Sequence, residues 1–102
     1  MSDELKNQII NDINSNDVIL FMKGTKQMPM CGFSATVVKV LSMYSIDYKD
    51  INILEDPNIR IMLSEHSNWP TIPQLFVKGE LIGGCDIVVE LHNSKELEKI
   101  LS

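Results

Sequence analysis

Val18-Ile19-Leu20-Phe21-Met22, then Lys23-Gly24-Thr25-Lys26-Gln27-Met28-Pro29-Met30, then Cys31-Gly32-Phe33-Ser34, decide the fold. The first five residues form a short, continuous apolar run rich in strand formers, the pattern of a central strand buried on both faces. Gly24 to Pro29 is polar and broken by Gly and Pro, which predicts a loop. Beyond it Phe33, Val37, Leu41 and Tyr44 recur at helical spacing and predict an amphipathic helix. Strand, loop and helix thus deliver Cys31 to a loop-to-helix junction.

Upstream, Leu5, Ile9, Ile10 and Ile13 follow a Ser2-Asp3 start and predict a first helix, closed by Asn14 to Asp17. Downstream, Tyr48 to Ile53 alternates as a second strand, and the strand–helix–strand order implies a right-handed crossover with parallel pairing. Asp56-Pro57 has the form of an N-cap followed by proline at the first helical position, opening a helix through about Glu65. Trp69-Pro70-Thr71-Ile72-Pro73 stops that helix. Leu75-Phe76-Val77 and Glu80-Leu81-Ile82 flank Lys78-Gly79, a tight connection suited to an antiparallel hairpin. After Gly83-Gly84, Ile87, Val88 and Leu91 predict another helix, and Ser94 is the expected cap of a last one carrying Leu97, Ile100 and Leu101. The expected architecture is α/β, a four-stranded mixed sheet with helices on both faces, which a thioredoxin-like fold satisfies.

A chain of 102 residues with 44% hydrophobic side chains has length for one core, so a single domain over residues 1–102 is expected. A net charge of -5 repels phosphate backbones and anionic lipid, which argues against nucleic acid and membrane surfaces as partners. The apolar run Val18 to Met22 falls far short of the roughly 20 residues of a membrane span. No basic-then-apolar leader opens the chain, so a cytoplasmic location is the expectation. The two cysteines, Cys31 and Cys85, are too few for a disulfide scaffold and too few for a zinc site within one chain. Any metal must find ligands outside the chain.

At a helix start, unpaired N–H groups and the positive end of the helix dipole favour a thiolate. Cysteines so placed have pKa values lowered from about 8.5 to roughly 3.5–7.5 and become good nucleophiles and soft-metal ligands. Lys23 is expected to add positive charge. Cys31-Gly32-Phe33-Ser34 has the frame of a Cys-x-x-Cys redox pair with the second sulfur replaced by oxygen. Serine forms no disulfide, so an external thiol must complete any exchange cycle at Cys31.

Lys23-Gly24-Thr25, Met30-Cys31-Gly32-Phe33-Ser34, Trp69-Pro70-Thr71-Ile72-Pro73-Gln74 and Gly83-Gly84-Cys85-Asp86, in that order, resemble the monothiol glutaredoxins of the Cys-Gly-Phe-Ser (CGFS) type in their single-domain form. The resemblance implies the glutaredoxin version of the thioredoxin-like fold and a glutathione groove beside Cys31. It implies that Lys23 and Arg60 meet the glycine carboxylate of glutathione. It further implies a cis peptide before Pro73 that turns the Ile72 backbone toward the tripeptide. At Gly84, Cys85 and Asp86 it implies a clamp for the γ-glutamyl end, with N–H groups taking its carboxylate and Asp86 its ammonium. Cys85 is expected to contribute mainly its backbone, and Trp69 to pack beside the groove.

Four thiolates generally hold a 2Fe-2S cluster, and two protomers supply only two through Cys31. Two bound glutathione molecules can complete the set. The resemblance implies such a cluster-bridged homodimer, Cys31 its protein ligand, acting as a labile carrier that passes the cluster to acceptor proteins in iron homeostasis, often paired with BolA-like proteins. The competing expectation is a glutathione-dependent thiol-disulfide oxidoreductase, in which the Cys31 thiolate attacks a protein–glutathione mixed disulfide. The resemblance favours the carrier, because the loop Gly24 to Pro29 is longer than in relatives that work mainly as reductases.

Overall fold

In β1 (Val18–Met22) every residue is buried, and alternate side chains leave on opposite faces of the sheet. Val18, Leu20 and Met22 pack with Val37, Val40 and Leu41 of α2 (Gly32–Leu41), Val88 of α4 (Cys85–Asn93) and Leu97 of α5 (Glu96–Leu101). Ile19 and Phe21 pack on the other side with Ile9 and Ile13 of α1 (Ser2–Ser15) and Leu63 of α3 (Pro57–Ser67). Each such side chain contributes about 1.5–3 kcal/mol when fully buried, so both helix layers are fixed to the same strand. The computed structural model that shows this describes residues 2–102. Met1, the first position of the expected 1–102 domain, lies outside the described residues.

β1 pairs in parallel with β2 (Lys49–Asn52) and antiparallel with β3 (Gln74–Val77), which pairs antiparallel with β4 (Glu80–Gly83). The order β2-β1-β3-β4 makes the four-stranded mixed sheet expected from the sequence. Asp56 caps α3 as its sequence predicts, accepting the Asn58 N–H at 2.9 Å, and Pro57 takes the first turn. The β3–β4 connection places Lys78 and Gly79 at positive φ, the geometry of a tight hairpin turn. Among the described residues no helix is long and apolar enough to cross a membrane.

Three local expectations change. The second strand is shorter than Tyr48 to Ile53, because Ile53–Glu55 coils into a 3₁₀ turn whose Leu54 N–H donates to the Asn52 side chain at 3.0 Å. Ser94 ends α4 and does not cap α5: its hydroxyl donates back to the Leu91 carbonyl at 3.1 Å, and Lys95 stands at the start of α5. Phe33, expected on the buried stripe of α2, is 62% exposed. The buried face of α2 begins at Ser34 and Val37 and continues through Val40 and Leu41.

Candidate functional site

The segment after β1 folds back on itself, which brings Cys31 beside the strand end. Met30 N–H donates to the Lys23 carbonyl at 2.9 Å, and Thr25 and Met28 exchange backbone hydrogen bonds at 3.0 and 3.1 Å. Gly24, at φ 87°, makes the reversal possible; a Cβ there would collide with the Met28 carbonyl and lie 2.7 Å from Met30 N. The loop is clamped to β2 from the side. Gly24 N–H donates to Asn52 Oδ1 at 3.0 Å, Lys26 N–H to Asp50 Oδ2 at 2.9 Å, and the Lys26 ammonium to the Tyr48 carbonyl at 2.6 Å.

Cys31 occupies the N-cap position of α2 with extended backbone and makes no close capping hydrogen bond. Its thiol pKa is nevertheless lowered, first by the backbone N–H of Ser34, then by that of Phe33, with partial burial opposing and the Lys23 charge assisting. Helix start and lysine therefore act as the sequence predicts. Cys85 behaves oppositely: burial and the neighbouring Asp86 push its thiol up. Both cysteines are free and partly exposed. Cys31 therefore ionises more readily than Cys85.

A cleft of about 210 Å³ opens at this end of the sheet, lined by Phe33, the loop Trp69, Thr71, Ile72 and Pro73, and the start of α4 from Gly84 to Ile87. Ile72, Gly84, Cys85 and Asp86 thus come together. Lys23, Cys31 and Arg60 stand outside the lining: Lys23 acts on the Cys31 sulfur, while Arg60 on α3 is exposed and reaches the Pro70 carbonyl at 3.4 Å. The Ile72–Pro73 peptide is cis. Gly84 keeps the cleft open, since a Cβ there would lie 3.2 Å from the Pro73 carbonyl and 3.6 Å from Trp69 Nε1.

Sequence reasoning missed three residues here. Phe33 lines the cleft while 62% exposed, and Met28 and Met30 of the preceding segment are likewise exposed apolar side chains. Asn52 holds the loop to β2, and Gln74 holds the Trp69–Thr71 loop from inside. A signal for Gln74 existed: it is a polar residue opening an otherwise apolar strand, Leu75-Phe76-Val77, which requires buried partners.

A mixed sheet with β1 at its centre, a single activated thiol at a helix start and a cis-proline loop beside it define a thioredoxin-like protein of thiol chemistry. The sequence profile of the family described as "Glutaredoxin" matches residues 18–82. A Rickettsia felis protein named "Probable monothiol glutaredoxin 2" is 55% identical over 91% of this chain and 89% of its own length. The solution structure of reduced poplar apo GrxS14 superposes with a TM-score of 0.82 at 48% identity, covering 93% of this chain and 87% of that one. A buckwheat glutaredoxin–glutathione complex superposes with a TM-score of 0.86 at 26% identity, over 98% of this chain and 89% of that one. The chain belongs to the glutaredoxin family, in its monothiol branch.

Proposed function

We propose that this protein binds glutathione in the cleft beside Cys31 and, as a pair of protomers, carries a labile 2Fe-2S cluster to acceptor proteins in iron homeostasis. The observation that carries the proposal is the asymmetry of its two sulfurs: Cys31 is held toward thiolate and Cys85 away from it. Among the described residues no three His, Cys, Asp or Glu side chains gather as a metal site, so a cluster at Cys31 needs ligands from a second protomer and from a small thiol. Bound glutathione would supply that second sulfur. Likeness to a glutaredoxin solved as a glutathione complex supports the choice of tripeptide.

The cleft suits it. Gly84 leaves room for close backbone approach, and the exposed Asp86 carboxylate at the first turn of α4 would take an ammonium while the N–H groups there take a carboxylate. Ile72 would offer its backbone from the facing loop. The chain's only arginine, Arg60, and Lys23 would hold the far carboxylate by charge-assisted bonds. A BolA-like protein would replace one protomer in a mixed pair.

Protein purified without oxygen, or reconstituted with iron, sulfide and glutathione, is expected to be brown and to lose iron and sulfide on Cys31→Ser. Colourless protein after reconstitution, with brisk turnover of a small glutathione mixed disulfide, would overturn the carrier in favour of an oxidoreductase.

A further inference from the structure

Gln74 opens β3 fully buried, paired across the sheet with Phe21. Its carboxamide nitrogen donates to two carbonyls of the preceding loop, Trp69 O at 2.9 Å and Thr71 O at 3.1 Å. The carbonyl between them, Pro70 O, accepts from Arg60 Nη2 at 3.4 Å. Three consecutive carbonyls are therefore held by two side chains, one buried and one exposed.

The held loop is a wall of the cleft, through Trp69, Thr71, Ile72 and Pro73. Holding it in this way is not the most stable use of the position. The Gln74 Oε1 atom is buried without a partner, and an unpaired buried acceptor costs free energy that an apolar side chain in the same strand would not. Leu75, Phe76 and Val77 show that the strand accepts apolar residues at buried positions. What glutamine adds is a pair of donors aimed at the loop. A methionine of similar length has none, and a glutamate would set a carboxylate oxygen against the same two carbonyls.

We infer that Gln74 is a positioning residue for glutathione: its two hydrogen bonds preset the Ile72 backbone and the cleft wall, so that the tripeptide does not have to order them on binding. The inference rests on the cleft being the glutathione site. It also assigns unequal shares to the two side chains. When Arg60 turns to a ligand carboxylate, its long contact to Pro70 is surrendered, and of the three carbonyl contacts the two from Gln74 remain, beside the Ser67 hydroxyl that accepts the Trp69 N–H at 3.2 Å.

The test titrates reduced glutathione into the full-length wild type, Gln74→Met and Gln74→Glu by calorimetry. Emission of Trp69, the chain's single tryptophan, reports the loop. Folded variants are expected to bind roughly fivefold or more weakly, because ordering of the loop is shifted onto the binding step. Their free-state Trp69 emission should change, and the alkylation midpoint of Cys31, set by Ser34, Phe33 and Lys23, should stay at the wild-type value. A folded variant whose affinity stays within about twofold of wild type overturns the inference, as does a shift of the Cys31 midpoint, which would mark a general distortion. Gln74→Asn, which keeps a carboxamide but shortens its reach, is held to the same criteria if the other two fail to fold. No binding by the wild type would instead overturn the glutathione site itself.

Discussion

The Lys23 backbone N–H donates to the Ser34 hydroxyl at 3.1 Å, bolting the end of β1 to the first turn of α2. Ser34 is fully buried, so the position that would hold the second sulfur of a Cys-x-x-Cys pair is occupied by a structural hydroxyl. The same hydroxyl also helps lower the Cys31 pKa. Monothiol chemistry and the placement of the thiolate thus share one atom.

Ser34→Ala should leave the part-buried Lys23 N–H without its acceptor and destabilise the fold by about 1–3 kcal/mol. Denaturant unfolding checks the size. The Cys31 pKa should rise at the same time, since a hydroxyl that favours the thiolate has gone, whereas a purely structural serine would leave it unmoved.

The two thiols should separate by pH. Reaction with iodoacetamide follows the thiolate fraction, which grows as pH rises through the pKa. Cys31 is lowered and Cys85 raised, so alkylation should reach half-maximal rate at Cys31 below the ordinary thiol range and at Cys85 above it. Mass spectrometry of pH-stepped samples distinguishes the sites. Coincident midpoints would remove the electrostatic distinction on which the single-ligand assignment depends.

Glutathione affinity should fall by about 1–3 kcal/mol on Arg60→Ala and on Lys23→Ala, as for a lost charge-assisted bond. Arg60 is exposed and Lys23 only partly buried, and solvent screening sets the lower end of that range. Calorimetric titration at low and moderate salt would show the loss shrinking with ionic strength. Unchanged affinity would take both residues out of the site.

Much of this was legible in the sequence where one local rule decides the outcome. Val18 to Met22 declares a strand covered on both faces because all five residues are apolar, and Asp56-Pro57 declares a helix start because cap and proline act within one turn. The place of Cys31 at a helix start was legible for the same reason. Phe33 was not: helical periodicity tells which side of α2 is apolar but not which turns of that side the rest of the chain covers. Ser94 was misassigned because a serine between two helices serves either end equally well on local grounds. Asn52 and Gln74 escaped because their partners are set by tertiary approach; Asn52 lies 28 residues from Gly24 in the chain.

The two glycines flanking the sulfur and the cleft should respond differently to a single added methyl. At Gly32 a Cβ would meet nothing within 4 Å, and the residue lies in the first turn of α2, where alanine is no worse than glycine. Gly32→Ala should therefore fold with equal or slightly greater stability and bind glutathione as the wild type does. At Gly84 a Cβ would press to 3.2 Å from the Pro73 carbonyl and 3.6 Å from Trp69 Nε1, in the wall of the cleft. The loop must then yield by a few tenths of an ångström, away from the geometry that Gln74 and Arg60 hold. Gly84→Ala should weaken glutathione by about 1 kcal/mol or more, comparable to the cost of overpacking a well-fitted site. Equal affinities for the two variants in the same calorimetric titration would mean that the tripeptide does not approach the chain at Gly84.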